Sequence, residues 1–370
     1  MEYWDDENYE ALLWHIYRNP ALLHYSITPL LHRSHHSHPG RSMNLRKLLI
    51  RPELGAFIAA VAIFILFAVV AGRQGFLSPE GTINYLEVSA QLGILATAVS
   101  LLMIAGEFDL SVGSMIGAAG MVIAIPVSLF GWPLWLGIIM GFLFASAIGY
   151  INGWLVVRTR LPSFIITLAS LYLLRGLTIG FTLLITNFTR VSGLRSSIEG
   201  DLLAPIFSGR PLGLPISIWW WAVLTLFLGW MLFKTPYGNW IFAAGGDAMA
   251  ARNVGVPVAR VKISLFMLTA ITATLLAVIQ VLNTGSADVL RGEQKELEAI
   301  ASAVIGGCLL TGGYGSVFGA TIGALILGMV QQGIFYTGIN TDWFRAVLGG
   351  MLLAAVLLNN YLRHQALRSR

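Results

Sequence analysis

The first segment with side chains capable of chemistry interrupts two long apolar runs at residues 106–114. Carboxylates beside an apolar span are costly and usually mark a function. The same residues could instead cap a helix, because Asp and Ser side chains accept hydrogen bonds from the free amides at a helix start. Both interpretations stay open. The residues of interest are Glu107, Asp109, Ser111, Gly113 and Ser114.

A second polar segment, residues 243–257, is rich in glycine and alanine and too polar to span a membrane. Asp247 is placed to cap a short helix over 248–253, and Gly255 is placed to end it. The alanines would give this helix a slim surface that fits a groove on another protein. A plain connecting helix is the alternative. The candidate residues are Gly245, Gly246, Asp247, Ala250, Ala251, Arg252 and Gly255.

A third segment, residues 296–316, begins with an acidic turn, which suits the dipole at a helix start. Its glycine-rich second half superficially resembles a phosphate-binding loop. Such a loop ends in Gly-Lys-Ser/Thr, and the chain contains no Gly-Lys dipeptide. Any ATP hydrolysis linked to this protein must therefore take place on another subunit. The candidate residues are Glu298, Gly306, Gly307, Gly312 and Gly313.

Known catalytic patterns are missing from the sequence. Six of the seven histidines precede Met43, and the remaining one is His364. No Gly-x-Ser-x-Gly nucleophile motif occurs, and the single cysteine, Cys308, excludes an intrachain disulfide and a thiolate metal cluster. We predict no catalytic residue, no metal site and no cofactor on this chain.

Composition indicates the elements that must position these segments. Of 370 residues, 56% are hydrophobic and 11% are charged, against about 25% charged in soluble domains. A membrane helix needs about 20 apolar residues. Ten apolar runs lie near residues 54–72, 83–106, 110–130, 133–157, 161–186, 216–233, 262–283, 296–310, 316–336 and 343–362. The sequence predicts an all-α polytopic membrane protein with about ten spans, of which the short, glycine-rich eighth could be tilted or broken.

Loop charges predict the orientation of these spans. With both termini in the cytoplasm, the inner segments after Met43 hold twelve lysines and arginines and the outer loops hold six. Cytoplasmic loops carry the excess of basic residues. We therefore expect cytoplasmic N and C termini, with the segment 243–257 on the inner side.

The first 42 residues differ from the rest of the chain. They open with acidic residues, hold six histidines and lack the apolar core of a signal peptide. A basic flank then begins at Met43 and leads into the first apolar run. We interpret residues 1–42 as a disordered or mis-called extension and residues 43–370 as the membrane domain. The histidines at 32–38 could bind a metal, but a solvated polar tail is the simpler interpretation.

The three polar segments together resemble the permease subunits of bacterial ATP-binding-cassette importers of the ribose, xylose, arabinose and galactoside class. Asp-Leu-Ser-Val-Gly-Ser at 109–114 matches the family's signature, and residues 245–256 are similar to its cytoplasmic coupling segment. Residues 298–313 are similar to its late-helix motif. Glu107, Glu298 and Cys308 depart from the usual family residues, and residues 1–42 have no family counterpart.

The resemblance implies the partners of this chain and its place in the cell. These are two ATPase subunits that bind ATP and magnesium, a periplasmic sugar-binding protein, and a second permease copy, identical or not, in the lipid of the bacterial inner membrane. No nucleic-acid partner is expected. A neutral sugar would need polar groups along its path, which could equally be interhelical hydrogen bonds. Candidates are Asn84, Gln91, Gln280, Asn283 and Gln331.

Two other transport classes remain as alternatives. One is a stand-alone secondary transporter, against which the scarcity of charge inside the apolar runs argues. The other is a permease for branched-chain amino acids, which is a nearer relative. A membrane enzyme is a third class, and the chain offers no catalytic constellation for it.

Overall fold

A computed structural model describes the backbone of residues 52–368 except residue 198, and side chains from residue 53 to residue 357. The predicted extension over 1–42 and the basic flank after it lie outside the described residues. The described helices are α1 (Pro52–Ala71), α2 (Pro79–Ile104), α3 (Val112–Phe130), α4 (Leu134–Thr159), α5 (Ser163–Thr186), α6 (Leu194–Ser197), α7 (Ala204–Ser208), α8 (Ile216–Lys234), α9 (Pro236–Gly246), α10 (Ala248–Asn253), α11 (Val258–Thr284), α12 (Lys295–Ile305), α13 (Val317–Tyr336) and α14 (Trp343–Arg368).

Two short strands and two 3₁₀ turns complete the described elements. The strands β1 (Arg190–Ser192) and β2 (Ser286–Asp288) pair antiparallel, with Arg190 opposite Asp288. The 3₁₀ turns lie at Gly72–Gln74 and Pro211–Gly213. The strand pair ties the connection after α5 to the end of α11.

Eight helices of the described part are long and apolar enough to cross a membrane, namely α1–α5, α8, α11 and α13. The chain is therefore an all-α polytopic membrane protein, as its composition predicts. The count of eight membrane-length helices differs from the ten apolar runs in the sequence. The run at 296–310 forms only the eleven residues of α12, because Gly307 takes a left-handed backbone at φ +92°. The tenth run forms α14, whose apolar part is Trp343–Leu357.

Helix starts follow local chemistry. Ser78 caps α2 by accepting a hydrogen bond from the Gly81 amide at 2.9 Å, and Pro79 occupies the first helical position. Thr235 and Pro236 begin α9 in the same way. A side-chain cap satisfies an otherwise orphan amide, and proline at the first position loses no bond. These starts were readable from sequence.

Helix α2 lies at the centre of the bundle. It packs against α13, α8, α11 and α12, while α3 and α4 pack against α11. From Leu92 to Ala105 every residue of this region is buried. By contrast, α1 and α5 expose most of their apolar side chains. The central helices therefore carry the polar segments, and the peripheral helices face outward.

Glycines permit the closest helix contacts. A side chain on Gly323 of α13 would place its Cβ 2.0 Å from the carbonyl oxygen of Ser302 on α12. Likewise, a Cβ on Gly319 would lie 2.1 Å from the Gly306 oxygen. The four-residue spacing of Gly319 and Gly323 is the small-residue pattern that lets membrane helices approach closely. The contact holds the short helix α12 against α13, which is long enough to span the membrane.

We predict that Gly323→Ala destabilises the protein by about 1–3 kcal/mol, because the added methyl group overpacks a backbone contact. The measurement is thermal unfolding of the detergent-solubilised protein. Gly176→Ala in α5 is the matched control, since nothing lies within 4 Å of the Cβ it would gain. Equal melting temperatures for the two variants would contradict the assigned α12–α13 contact.

Candidate functional site

The three polar segments singled out in the sequence meet at one end of the bundle. The meeting point, which we name the glycine junction, consists of Gly106, Gly245, Gly246, Gly312 and Gly313. A Cβ on Gly312 would lie 2.7 Å from Gly106 Cα and 2.9 Å from the Gly245 oxygen. A Cβ on Gly313 would lie 2.9 Å from Gly246 Cα. The segments thus touch backbone to backbone.

A single hydrogen bond anchors the glycine junction. The Gly313 amide donates to the carbonyl oxygen of Ile104 at 2.8 Å, where α2 ends. A Cβ on Gly245 would lie 1.8 Å from the same oxygen. Gly106 and Ile104 were absent from the predicted site residues. Gly106 could have been found as the glycine that ends an apolar run.

Asp109 is buried at the centre of the 106–114 turn, with 1% of its surface exposed. One carboxylate oxygen accepts from the Ser111 amide at 2.9 Å and from the Ser111 hydroxyl at 2.6 Å. The other oxygen accepts from the Thr269 hydroxyl of α11 at 2.6 Å. Burial raises the pKa of the Asp109 carboxyl, and the bonds from Ser111 and Thr269 oppose that shift. The carboxylate therefore joins the turn to α11.

Two further helices hold the same turn. Asn152 of α4 donates to the Ser111 hydroxyl at 3.1 Å. Ser163 at the start of α5 accepts from the Phe108 amide at 2.9 Å. The capping interpretation holds only in part, because Asp109 binds the Ser111 amide while Ser111 itself makes no side-chain cap on α3. The turn is foremost a crosslink between helices.

Glu107 forms an ion pair with Lys262 at the start of α11. Both side chains are mostly buried, with 13% and 14% of their surfaces exposed. Sequence analysis missed Asn152, Lys262 and Thr269 as partners of this turn. Their signal was polar side chains in otherwise apolar helices, but a linear sequence does not say which of them meet.

Gly113 of the turn also has a packing role. A Cβ there would lie 1.8 Å from a carboxylate oxygen of Glu296 at the start of α12. The Ser114 hydroxyl donates to the Ser111 carbonyl at 2.8 Å, and Glu298 pairs with Lys295 at 2.5 Å. The first and third polar segments therefore form a second contact, which is possible only because Gly113 has no side chain.

The segment 243–257 forms the predicted short helix. Asp247 accepts from the amides of Met249 and Ala250, each at 2.9 Å, and so caps α10. Gly255 follows the helix with a left-handed backbone at φ +87°. Ala251 is buried, whereas Ala250 and Arg252 are exposed. Met249 and Val254 are 75% and 80% exposed, so two apolar side chains of this segment face solvent.

The glycines of the third segment divide into two groups. Gly306 meets Gly319 of α13, and Gly307 ends α12. Gly312 and Gly313 belong to the glycine junction. Between the groups, Cys308 is buried, and burial raises the pKa of its thiol to about 12. A thiol that stays protonated and covered is unreactive.

A polar cleft of about 380 Å³ lies at the other end of α11. Lys262 near the glycine junction and Asn283 at the cleft are 21 residues apart on α11, or about 30 Å at 1.5 Å per residue. Every lining residue is polar or glycine. The cleft is lined by Glu87, Gln91, Gln280, Asn283, Thr284, Arg291 and Gly292.

Three of the five predicted pathway residues line this cleft, namely Gln91, Gln280 and Asn283. Gln280 donates to the Gln91 side-chain oxygen at 2.9 Å, so this pair also links α11 to α2. Asn84 instead donates to the Tyr336 hydroxyl of α13 at 3.0 Å. Gln331 is half-buried on α13 and does not line the cleft.

No group of three or more His, Cys, Asp or Glu side chains within the described residues is arranged to hold a metal ion. The contacts described in the two polar regions are hydrogen bonds, ion pairs and backbone packing. The glycine junction locks three segments together, and the cleft offers donors and acceptors to a polar molecule.

Comparison with known proteins gives the family. The family model described as branched-chain amino acid transport system / permease component matches residues 81–356. The ribose import permease protein of Escherichia coli (strain K12) is 33% identical over 304 residues, covering 81% of this chain and 92% of that protein. The xylose transport system permease protein of the same strain is 31% identical over 376 residues, covering 86% and 93%. No solved structure matches the chain significantly.

A ribose import permease protein of Haemophilus influenzae is likewise 31% identical over 318 residues, covering 84% of this chain and 96% of that protein. The resemblance drawn from the three polar segments is thus confirmed at the level of the family. The chain belongs to this family of transport-system permease components and is a multi-pass protein of the inner membrane.

Proposed function

We propose that this chain is the membrane-spanning permease subunit of an ATP-binding-cassette importer that moves a pentose or hexose across the bacterial inner membrane. A separate ATPase subunit binds ATP and magnesium, and a periplasmic binding protein delivers the sugar. Two permease copies, identical or not, complete the pathway. The observation that carries this proposal is the similarity to ribose and xylose permeases over more than four fifths of the chain.

The polar cleft supports a sugar over a branched-chain amino acid, which the family description names. The branched side chain of leucine or valine would need apolar walls around it, as ligand pockets for such groups have. The cleft is lined by polar residues and one glycine only. The carboxylate, amide, hydroxyl and guanidinium groups of these residues are suited to binding the hydroxyl groups of a sugar.

The described ion pairs argue against an ion-driven transporter working alone. Such transporters carry ionisable groups that exchange protons or cations within the membrane. Here Glu107 is paired with Lys262, and Arg175 of α5 lies 3.8 Å from Glu293. In these pairs each charge is engaged with its partner in the protein.

The glycine junction and α10 form the inner end of the protein in this proposal, and the cleft forms the outer end. The predicted excess of inner basic residues gives this orientation. The exposed Met249 and Val254 then face the ATPase subunit. Helix α10 directly follows α9, and Gly245 at the end of α9 contacts Ile104 at the end of α2, so a push on α10 is passed to the central helix through the end of α9.

The first test is transport itself. Proteoliposomes that contain the permease, its ATPase and the binding protein should accumulate ribose or xylose only when ATP is supplied. A sodium or proton gradient should not replace ATP. Accumulation by the permease alone under an ion gradient would overturn the proposal in favour of a secondary transporter, and ATP-driven uptake of leucine in place of sugar would favour the amino acid permease.

We predict that Met249→Glu and Val254→Glu each weaken the association with the ATPase at least tenfold, because each places a charge in an apolar contact that excludes water. The measurement is copurification of the ATPase with the tagged permease. Leu202→Glu is the matched control, since Leu202 is 91% exposed in the connection after α5. Unchanged copurification with both inner variants would remove α10 as the docking element.

We predict that a membrane-impermeant maleimide labels Leu202→Cys in intact spheroplasts, whereas Val254→Cys reacts only after the membrane is opened. The native Cys308 gives no background because it is buried and its pKa lies near 12. The reverse labelling pattern would invert the proposed orientation. Labelling of wild-type protein under both conditions is the control for Cys308.

A further inference from the structure

The floor of the polar cleft consists of two glutamine side chains. Gln91 is followed along α2 by residues 92–105, all of which are buried. Gln280 is preceded along α11 by residues 272–279, all of which are also buried. The amide pair therefore lies where both central helices pass from the cleft into the packed interior.

The amide pair leaves one polar atom without a partner. Gln280 uses its Nε2 to donate to the Gln91 Oε1. Its own Oε1 is covered from solvent and accepts no hydrogen bond. A buried acceptor without a donor is unfavourable. A ligand hydroxyl that donates to Gln280 Oε1 would give this acceptor the partner it lacks.

The walls above the pair offer matching groups. Glu87 lies one helical turn before Gln91 on α2, and its carboxylate has no hydrogen-bond or ion-pair partner among the described residues. On the opposite wall Arg291 donates to the Thr284 hydroxyl at 3.0 Å and keeps further N–H groups. A carboxylate and an amide oxygen that both lack donors suit the hydroxyl groups of a neutral polyol.

We propose that Gln91 and Gln280 form a sugar-operated gate at the floor of the cleft. A monosaccharide hydroxyl donates to Gln280 Oε1, a second hydroxyl donates to the Glu87 carboxylate, and the amide–amide bond between α2 and α11 is replaced by bonds to the sugar. The exchange opens the floor only when a polyol is bound. This inference rests on the proposed sugar-import function and adds the residues that select the substrate.

The test compares gate variants in the reconstituted complex with one binding protein throughout, so that the preference of the binding protein cancels. Gln280→Leu removes both polar atoms, and Gln280→Asn withdraws the amide by one methylene group. Both should raise the KM for ribose or xylose about tenfold, the effect of losing one good hydrogen bond. Both should also reduce the discrimination against the corresponding deoxy sugar, because the variant no longer forms a hydrogen bond with the hydroxyl group that the deoxy sugar lacks.

Two controls separate the gate from general damage. Gln91→Leu removes the acceptor of the Gln280 amide and should behave like Gln280→Leu. Gln332→Leu makes the same type of change on α13 outside the cleft and should leave KM and discrimination unchanged. Copurification of the ATPase should be normal for all of these variants.

The outcomes are distinct from those of the proposed function. If wild-type complex imports sugar but Gln280→Leu and Gln280→Asn keep the wild-type KM and deoxy-sugar discrimination, the gate is overturned and the importer stands. If Gln280→Leu does not fold, Gln280→Asn decides the question by the same two readouts. If the wild-type complex imports no sugar with ATP, the proposed function fails before the gate is tested.

Discussion

The bond between the Gly313 amide and the Ile104 carbonyl is the contact on which the glycine junction depends. In an apolar bundle the last carbonyl groups of a helix have no water to bind, so they need partners from the protein. At the end of α2 that partner comes from a loop far along the chain. The loop can reach it only because Gly245 and Gly312 carry no side chains.

The two carboxylates of the 106–114 turn each have partners. Asp109 is buried against the Ser111 and Thr269 donors, and Glu107 is paired with Lys262. An unpaired charge in such surroundings would be far more costly than the pair. These contacts fasten the 106–114 turn to α11. The glycine junction and the 106–114 turn share Gly106 and are both fastened to the central helices.

The central helices carry this unit at one end and the polar cleft at the other. Helix α11 runs about 30 Å from Lys262 to Asn283, and α2 runs beside it through a fully buried stretch. In the proposed function, this pair of helices links ATPase docking on α10 at one end to sugar binding in the cleft at the other. Coupling of this kind requires that both ends bias the same two arrangements.

The amino-acid sequence by itself determined the class of the protein and its three polar segments, because apolar length, loop charge and glycine position are local properties. It also determined the cap and the end of α10. The tertiary structure decided which polar side chains meet. The Asn84 side chain donates a hydrogen bond to the Tyr336 hydroxyl, whereas the side chains of Gln91, Gln280 and Asn283 line one cleft. Which side chains meet depends on packing between residues distant along the chain, whereas the early end of the eighth predicted run as α12 follows from the left-handed backbone of Gly307.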